Sequence, residues 1–568
     1  MARMACVKIT LLLVTVLLCL PTTGTWAQEV RGVDPGAIQQ RAIDTMEYYR
    51  LEKKLREEKK PELEKDWIED KTKEEAKPVP EVDEKAIFIS RIVTDRSEIL
   101  SDEEIKGVTG KYEGKSASIK DLFEVIREIN ELYRAKKFIA AQAVLPPQKV
   151  EEGVVQIKLV EGRVGKILVE DNKHTRESFF RNRISLKSGD LVRLDNLEKD
   201  LLLFNSINDV KIKTELKPGE AFGTTDCIVK VQEPSKYQVA LFSDNAGRDT
   251  VGLYRFGLVL GDSSLLGYRD PLSLSAFWAN GNGTIAGSGS YSFPITTLGT
   301  RLGVSYDHNQ IKVISGPSEV LDISGDSSDF GIDLSHPFIV KPAFKLNGSA
   351  GFHFKKSTTD FDEVTLFQRK VRGLTIGVDF QSFDEGGYWY SHHKLTRGFY
   401  ILGGDASFLK YNLFLTRQQI LGKDFVFVFR GSAQLSDRKL LPSSEQFQIG
   451  GLSSVRGYPE GLLTGDRGYL LNGELYFPLP FTKKEIFGTS LGDKLKGFIF
   501  VDHGGAFPFK GHGESINHND YLTSTGFGLM INISKYLTGR LSLGVPIANR
   551  EQVKDSFRFH FYLQSNLL

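Results

Sequence analysis

The sequence predicts an exported chain that ends in a closed outer-membrane β-barrel, with a charged helical leader and two small α/β units ahead of it. Three observations carry that prediction. The first residues have the layout of a secretory signal. Residues 235–568 consist of short alternating segments separated by Gly, Asn and Asp clusters. Helical periodicity is nearly absent from that C-terminal part. In lipid, only a helix or a closed barrel satisfies every backbone group. Beyond the signal, no run of about 18 apolar residues could supply a helix.

The signal is read from Arg3 and Lys8, the mostly apolar stretch Ile9–Leu20, and the small-x-small site Thr25-Trp26-Ala27 before Gln28. The apolar stretch is too short to span a bilayer, which argues against the alternative of a membrane anchor. Residues 1–27 are therefore expected to be removed. Of 3 cysteines, Cys6 and Cys19 leave with the signal, so Cys227 has no intrachain partner. A formal charge of +1 over 568 residues points to no nucleic-acid partner.

Residues 28–82 form the leader. "RAIDTMEYYRLEKKLREEKK" holds good helix formers with no Gly or Pro. Ile43, Met46, Tyr49 and Leu51 give it only a narrow apolar stripe. Pro78 and Pro80 favour extended chain beyond it. Composition alone describes a solvated helix on a disordered leader.

Residues 83–163 read as the first α/β unit. "AIFISRIV" is a strand. Ile119, Leu122, Phe123, Ile126, Ile129, Leu132 and Tyr133 mark one buried helix face, and "GVVQIKLVEGRVGKILVED" makes two strands about a turn near Gly162. Residues 164–234 repeat the theme. A helix through Leu194, Leu197, Leu201 and Phe204 precedes "VKIKTEL", a Pro218-Gly219 turn and "DCIVKVQEP". The shared element order suggests an internal repeat.

From 235 onward, strands alternate. "FRFHFYL" sets Phe557, Phe559, Phe561 and Leu563 against Arg558 and His560. "FVFVFRGSA" sets Phe425, Phe427 and Phe429 against Arg430 and Ser432. "PLSLSAFWAN" aligns Leu272, Leu274, Ala276 and Trp278. A soluble all-β protein is the alternative to a barrel in lipid.

The sequence offers little chemistry. "GKYEGKS" (Gly110–Ser116) has three residues between its glycines where a phosphate loop needs four, and reads as a loop ahead of the amphipathic helix. "GNGTIAG" (Gly281–Gly287) reads as a surface loop. His392, His393 and His503 lack metal-ligand spacing, and no G-x-S-x-G elbow occurs. The expectation is a protein that is not an enzyme and uses no cofactor.

At this point the chain resembles the two-partner secretion transporters of the haemolysin-activator and filamentous-haemagglutinin-transporter type, within the Omp85 superfamily. "VDPGAIQQRAIDTMEYYR" is similar to the family's plug helix, and the two α/β units to its paired POTRA domains. "VRGY" (Val455, Arg456, Gly457, Tyr458) matches its loop-6 signature. "FVDHG" matches its F-x-D-x-G signature through Phe500, Asp502 and Gly504. One departure is the C-terminus. Such barrels usually end in an aromatic residue, and this chain ends "QSNLL".

The resemblance implies 16 antiparallel strands and a Gram-negative outer-membrane pore with POTRA domains in the periplasm. It implies export of one large unfolded partner exoprotein, of adhesin or cytolysin type. Outer-membrane lipid and, during biogenesis, the barrel assembly machinery are the other partners implied. An Omp85-type assembly factor and a passive solute channel are the competing readings. In "GFIFVDHGG", Asp502 shares a face with Phe498 and Phe500, while Ile499 and Val501 take the other. A carboxylate at mid-depth is costly in lipid, so Asp502 is expected to face the lumen. There it can take the planar fork of Arg456, with Tyr458 packing beside the aromatic wall.

Overall fold

The computed structural model describes residues 34–57, 67–71 and 86–568, apart from 363, 423, 438–439, 480–484, 487–488, 491–493, 509–517, 534–536, 550–552 and 554. The signal at 1–27 and the leader prolines Pro78 and Pro80 lie outside the described residues.

Two capping boxes start the helices of the first α/β unit. Ser101 and Glu104 open Asp102–Thr109, and Ser118 and Asp121 open Ile119–Ala135. Each box satisfies two backbone donors that the first helical turn leaves unpaired. The longer helix buries Leu122, Val125, Ile126, Ile129 and Tyr133 against Val155, Ile157 and Leu159. Phe123, assigned to that face from its spacing, is instead exposed. The "AIFISRIV" strand breaks at Ser90 because its halves take different partners. Ile87–Ile89 pairs with Lys115–Ala117, and Arg91–Thr94 pairs with Val154–Ile157. Thus the end of the supposed loop, Lys115 and Ser116, belongs to the strand Lys115–Ala117.

Phe179, Phe180, Phe204, Leu197 and Leu201 form the core of the second unit. Its sheet runs in the order Ile68–Asp70, Lys211–Pro218, Thr224–Gln232, Arg163–Glu170. The outermost strand comes from the leader, where the sequence reading had only an extended linker. Arg269 of a barrel turn is buried and holds Asp209 of this unit through two nitrogens, Nε at 2.9 Å. That pair ties the unit to the barrel.

The barrel has sixteen antiparallel strands in chain order, from Tyr237–Asp244 to Arg558–Asn566, and the first pairs with the last. Alternation sorts its side chains by solvent. Ile499 and Val501 are 49% and 56% exposed on the outside, whereas Phe498, Phe500 and Asp502 are buried inside. Strand length varies from 8 residues in Leu272–Ala279 to 21 in Val364–Asp384. At roughly 3.4 Å per residue, the shortest span about 27 Å and stop just short of the bilayer's core of about 30 Å, while the longest rise well beyond it. The fourth strand starts at Thr284, so Thr284–Gly287 of "GNGTIAG" lies in the wall and only Asn280–Asn282 forms a turn.

Two segments enter the lumen. The first is the leader helix, Pro35–Glu57. Pro35 presets the first turn, and the Asp34 carboxylate accepts from Ala37 N–H at 3.0 Å. Its 23 residues at about 1.5 Å each reach through the barrel. Pro35 O accepts from Ser327 at 3.2 Å near the outer rim, and Leu51 packs by Phe383 and Tyr388 at the periplasmic end. Gln39, Arg41, Thr45 and Glu52 are buried although the helix is polar. A polar lumen accepts a polar helix, so hydropathy alone described it as solvated. The second segment connects the strands Phe425–Ser436 and Arg467–Pro478, and it carries Val455–Tyr458.

Candidate functional site

Arg456 sits at the tip of this inward-folded loop with 2% of its surface exposed. Its Nε and Nη2 donate to the two oxygens of Asp502, each at 2.7 Å. Its backbone N–H donates to Asp502 Oδ2 at 3.1 Å. The fork–fork geometry is the strong form of an ion pair, and the backbone bond fixes the loop as well as the side chain. Asn472 Nδ2 donates to Asp502 Oδ1 and to Ser454 O, both at 2.8 Å, and so braces the carboxylate against the loop. The guanidinium lies 3.5 Å from the centroid of Phe500. Arg456, Asp502 and Phe500 are therefore one assembly. The aromatic wall is covered by the arginine as a cation on a ring face.

Tyr458 goes elsewhere, correcting its expected place beside that wall. With Val455 it lies among Ile449, Leu463, Ala506 and Leu522, a largely aliphatic cluster. Its hydroxyl donates to Thr523 O at 2.9 Å. Between them Gly457 has φ +89°, and a Cβ there would meet Gly544 C at 2.9 Å. The site requires glycine both for its dihedral and for its space. Gly457 N–H donates to His560 Nε2 at 3.0 Å, on the last barrel strand. Gly504 stands against the neighbouring strand, where a Cβ would meet Tyr469 O at 2.9 Å.

The sequence reading named one carboxylate for Arg456, and the structure supplies a second. Glu474 Oε1 lies 2.6 Å from Arg456 Nη1. Glu474 also holds Arg430 at 2.9 Å and Arg540, and Tyr476 OH donates to it at 2.7 Å. Glu52 of the leader helix closes the group. It pairs with Arg430, and its Oε2 is 3.4 Å from Arg540 Nη1. Three carboxylates (Glu52, Glu474, Asp502) thus face three guanidinium groups (Arg430, Arg456, Arg540), all buried. Such a group is tolerable inside a barrel only because its charges balance.

The helix meets the loop directly as well. Arg41 Nε donates to Glu460 Oε2 at 2.9 Å, and Arg41 Nη2 to Gly450 O at 2.7 Å. Tyr49 stacks on Tyr562 with centroids 3.6 Å apart, and its hydroxyl donates to Asp244 at 3.2 Å. Beside the helix remains a cavity of about 1910 Å³, lined by polar side chains such as His308, His353, His392 and Asn412 together with apolar ones such as Phe277, Val371 and Val428.

A signal for the missed residues existed. Glu474 in "LNGELYFP" and Arg540 in "LTGRLSLG" are ionisable residues in mid-strand, as is Asp502. The argument that turns Asp502 inward applies equally to them. Glu52 offered no such signal, because a charged residue on a charge-rich helix carries no positional information.

Residues 223–530 match the family described as haemolysin secretion/activation protein ShlB/FhaC/HecB. Residues 87–162 match the POTRA domain, ShlB-type. The chain is 28% identical over 485 residues to the heme/hemopexin transporter protein HuxB of Haemophilus influenzae strain 86-028NP, covering 81% of this chain and 83% of that protein. It is 23% identical over 398 residues to the outer membrane transporter CdiB of Dickeya dadantii strain 3937, covering 67% and 70%. The solved structure of CdiB from Escherichia coli superposes with a TM-score of 0.64 at 18% identity, covering 94% of this chain and 99% of that one. This last likeness is one of fold.

Proposed function

The chain belongs to the ShlB/FhaC/HecB family of haemolysin secretion/activation proteins, and from that premise we propose how its parts divide the work of two-partner secretion. The protein is an outer-membrane pore that passes a partner exoprotein from periplasm to cell surface. The two α/β units stand in the periplasm and capture the unfolded passenger, whose extended segments pair with an exposed sheet edge. Arg456, held by Asp502 over Phe500, keeps the loop tip on the wall. Gly457 and Gly504 permit the close approach, and Val455 and Tyr458 seat the turn. The leader helix is the removable plug. The protein catalyses no reaction. Lipid contacts the outer face, and the barrel assembly machinery inserts the chain.

One observation carries this reading: the lumen holds a polar helix beside a cavity of about 1910 Å³. A chain that only needed a stable barrel would gain nothing from either. The test is co-expression, in a Gram-negative host, with a large exported protein sought among the products of the neighbouring genes. Wild type is expected to place that protein outside the cell, and a host lacking this chain to retain it. Equal release with and without the chain overturns the reading.

A further inference from the structure

On the neighbouring strands Phe344–Phe361, Val364–Asp384 and Gly387–Gly398, the side chains that face away from the lumen change character with height. Leu374, Ile376 and Val378 are exposed on that outer face, and they alternate with Val371, Gly373 and Thr375, which line the cavity. Phe344 and Phe380 meet edge-on, 5.6 Å apart, towards the periplasmic end. Phe330 and Phe354 lie 6.1 Å apart towards the outer end. Aromatic girdles mark the two interfaces of a barrel with lipid. From Phe380 to Arg372, which stands opposite Phe354, the strand climbs roughly 20 Å at a tilt of about 40°, close to an apolar band of about 25 Å. Arg372 therefore marks the outer boundary of the lipid core.

At and above that boundary the wall is basic. Lys356 and Lys370 stand directly opposite each other on adjacent strands, one outward position above Phe354 and Arg372. Like charges so placed repel. The ion pairs of this region run through Lys355 to Asp329 and Glu445 on the lumen side, and through Arg397 to Asp437 at 3.9 Å; Lys356 and Lys370 make none among the described residues. The nearest carboxylates serve elsewhere or stand apart. Asp405 accepts from the backbone N–H of Lys370 through both oxygens at 3.0 Å, and Asp326, opposite Thr358 on the next strand, forms no ion pair with Lys356. Two ammonium groups that face outward at the edge of lipid are stabilised by an anion between them and disfavoured without one.

A loop completes the arrangement. Tyr400, Ile401 and Leu402, between the strands Gly387–Gly398 and Leu409–Leu421, are all exposed. Arg372 holds this apolar tip against the outer wall, donating from Nε to Leu402 O at 3.1 Å and from Nη1 to Lys355 O at 2.9 Å. Leu402 has φ +51°, a strained conformation for a residue with a side chain. An apolar tip fastened beside paired cations matches a ligand that carries acyl chains and phosphate in one molecule. We propose that Lys356 and Lys370 bind a phosphate of the phosphorylated glycolipid of the outer leaflet, lipopolysaccharide, whose acyl chains lie on Phe354, Leu374 and the Tyr400–Leu402 tip. Arg372 is the positioning residue that holds the tip. The proposal rests on the outer-membrane position of the barrel and is independent of the export reading.

The test titrates the full-length protein in detergent with fluorescently labelled, bisphosphorylated lipid A. Unlabelled lipid A, its dephosphorylated form, phosphatidylglycerol and inorganic phosphate serve as competitors. Lys356→Gln with Lys370→Gln is expected to bind roughly tenfold more weakly than wild type. Lys356→Arg with Lys370→Arg restores the charge and is expected to bind as wild type does. Lys341→Gln, at the periplasmic end of the same sheet, is expected to change nothing. Leu402→Asp leaves both lysines in place and is expected to weaken binding through the tip alone. Heat-modifiability on gels confirms the barrel in each variant. Only unlabelled, phosphorylated lipid A is expected to displace the label at matched concentration. Equal binding by wild type and the glutamine pair overturns the proposal. Displacement by inorganic phosphate or phosphatidylglycerol as readily as by lipid A overturns it too, because the patch would then attract any anion.

Discussion

The lumen has two guests, and they are held differently. The loop tip around Arg456 is fixed through its backbone as well as its side chains. Arg456 N–H bonds Asp502, Gly457 N–H bonds His560, and Gly457 presses on Gly544 with no room for a methyl group. The leader helix is fixed mainly by side-chain tips: Arg41 on Glu460 and Gly450 O, Glu52 on Arg430 and Arg540, and Tyr49 on Asp244. A cavity lies along its side. Tips can exchange partners one at a time, whereas a packed backbone turn cannot. On the proposed reading, the loop stays and the helix is the guest that leaves.

The largest expected effect breaks the part that stays. Arg456→Ala and Asp502→Ala each leave a buried charge without its partner, a loss of about 3–5 kcal/mol. The closed barrel survives, since its strands pair independently of the loop, but the tip comes free. Export of the partner is expected to fall to near zero in each variant, with the protein still in the membrane and heat-modifiable on gels. The double variant is expected to be no worse than either single one. Arg456→Lys is expected to fail too, because an ammonium cannot make the fork. Defects that multiply in the double variant would show that the two residues act separately.

The next effect breaks the part that leaves. Glu52→Ala removes the helix's carboxylate from the buried group and leaves Arg430, Arg456 and Arg540 facing only Glu474 and Asp502. The helix loses charge-assisted bonds worth roughly 1.5–3 kcal/mol, and the residual positive charge repels nothing else in the helix's favour. Single-channel conductance in planar bilayers is expected to rise, with more frequent openings, and deletion of residues 28–60 is expected to raise it further. Export is expected to persist. Lost export with unchanged conductance would reverse the assignment of mobile and fixed guests.

Why the sequence revealed one guest better than the other follows from the same difference. A strand has period two, so an ionisable residue at mid-depth must face inward, and Asp502 could be placed from "GFIFVDHGG". The barrel as a whole was legible for that reason. A helix that lies in a polar lumen obeys no such rule. Its buried Gln39, Arg41, Thr45 and Glu52 look like solvated surface, because the surroundings that bury them are themselves polar. Tyr458 was misplaced for another reason. Its neighbours Leu522 and Ala506 arrive from distant barrel strands, and no local pattern announces them. The leader strand at Ile68–Asp70 was invisible because three residues are too few to show alternation.

A smaller effect sharpens the comparison where the two guests touch. Arg41→Ala leaves Glu460 without its helix partner while Glu460 still accepts from Leu452 N–H on the loop itself. The loop keeps its seat and the helix loses one tip. A modest rise in conductance, below that of Glu52→Ala, is expected with normal export. If Arg41→Ala abolished export, loop and helix would be one unit and the contrast would fail.

The smallest effect follows the leader out of the membrane. Glu215 is held down to about 2 by hydrogen bonds from Lys230 and Lys71, with Lys217 adding to them against the cost of burial. A carboxylate depressed in the folded state contributes stability that is full above its unfolded value, near 4.5, and is lost as pH falls through about 2. Lys71 belongs to the leader, so acid should loosen the leader strand from its edge within that window. Trp67, half-buried against the second unit's core, reports the event through its fluorescence. The emission is expected to shift to the red on acidification below about pH 4, before the barrel itself changes on gels. Lys71→Ala removes one of the three cations, so the carboxylate regains protons more readily and the shift should move to higher pH. Neither acidification nor Lys71→Ala should disturb the loop tip, whose charges are shut away from solvent in the wall. A shift that leaves the pH of the transition unchanged in Lys71→Ala would mean that the leader is held by Trp67 and its backbone alone, and the lysine ring would then belong to the unit and not to its cover.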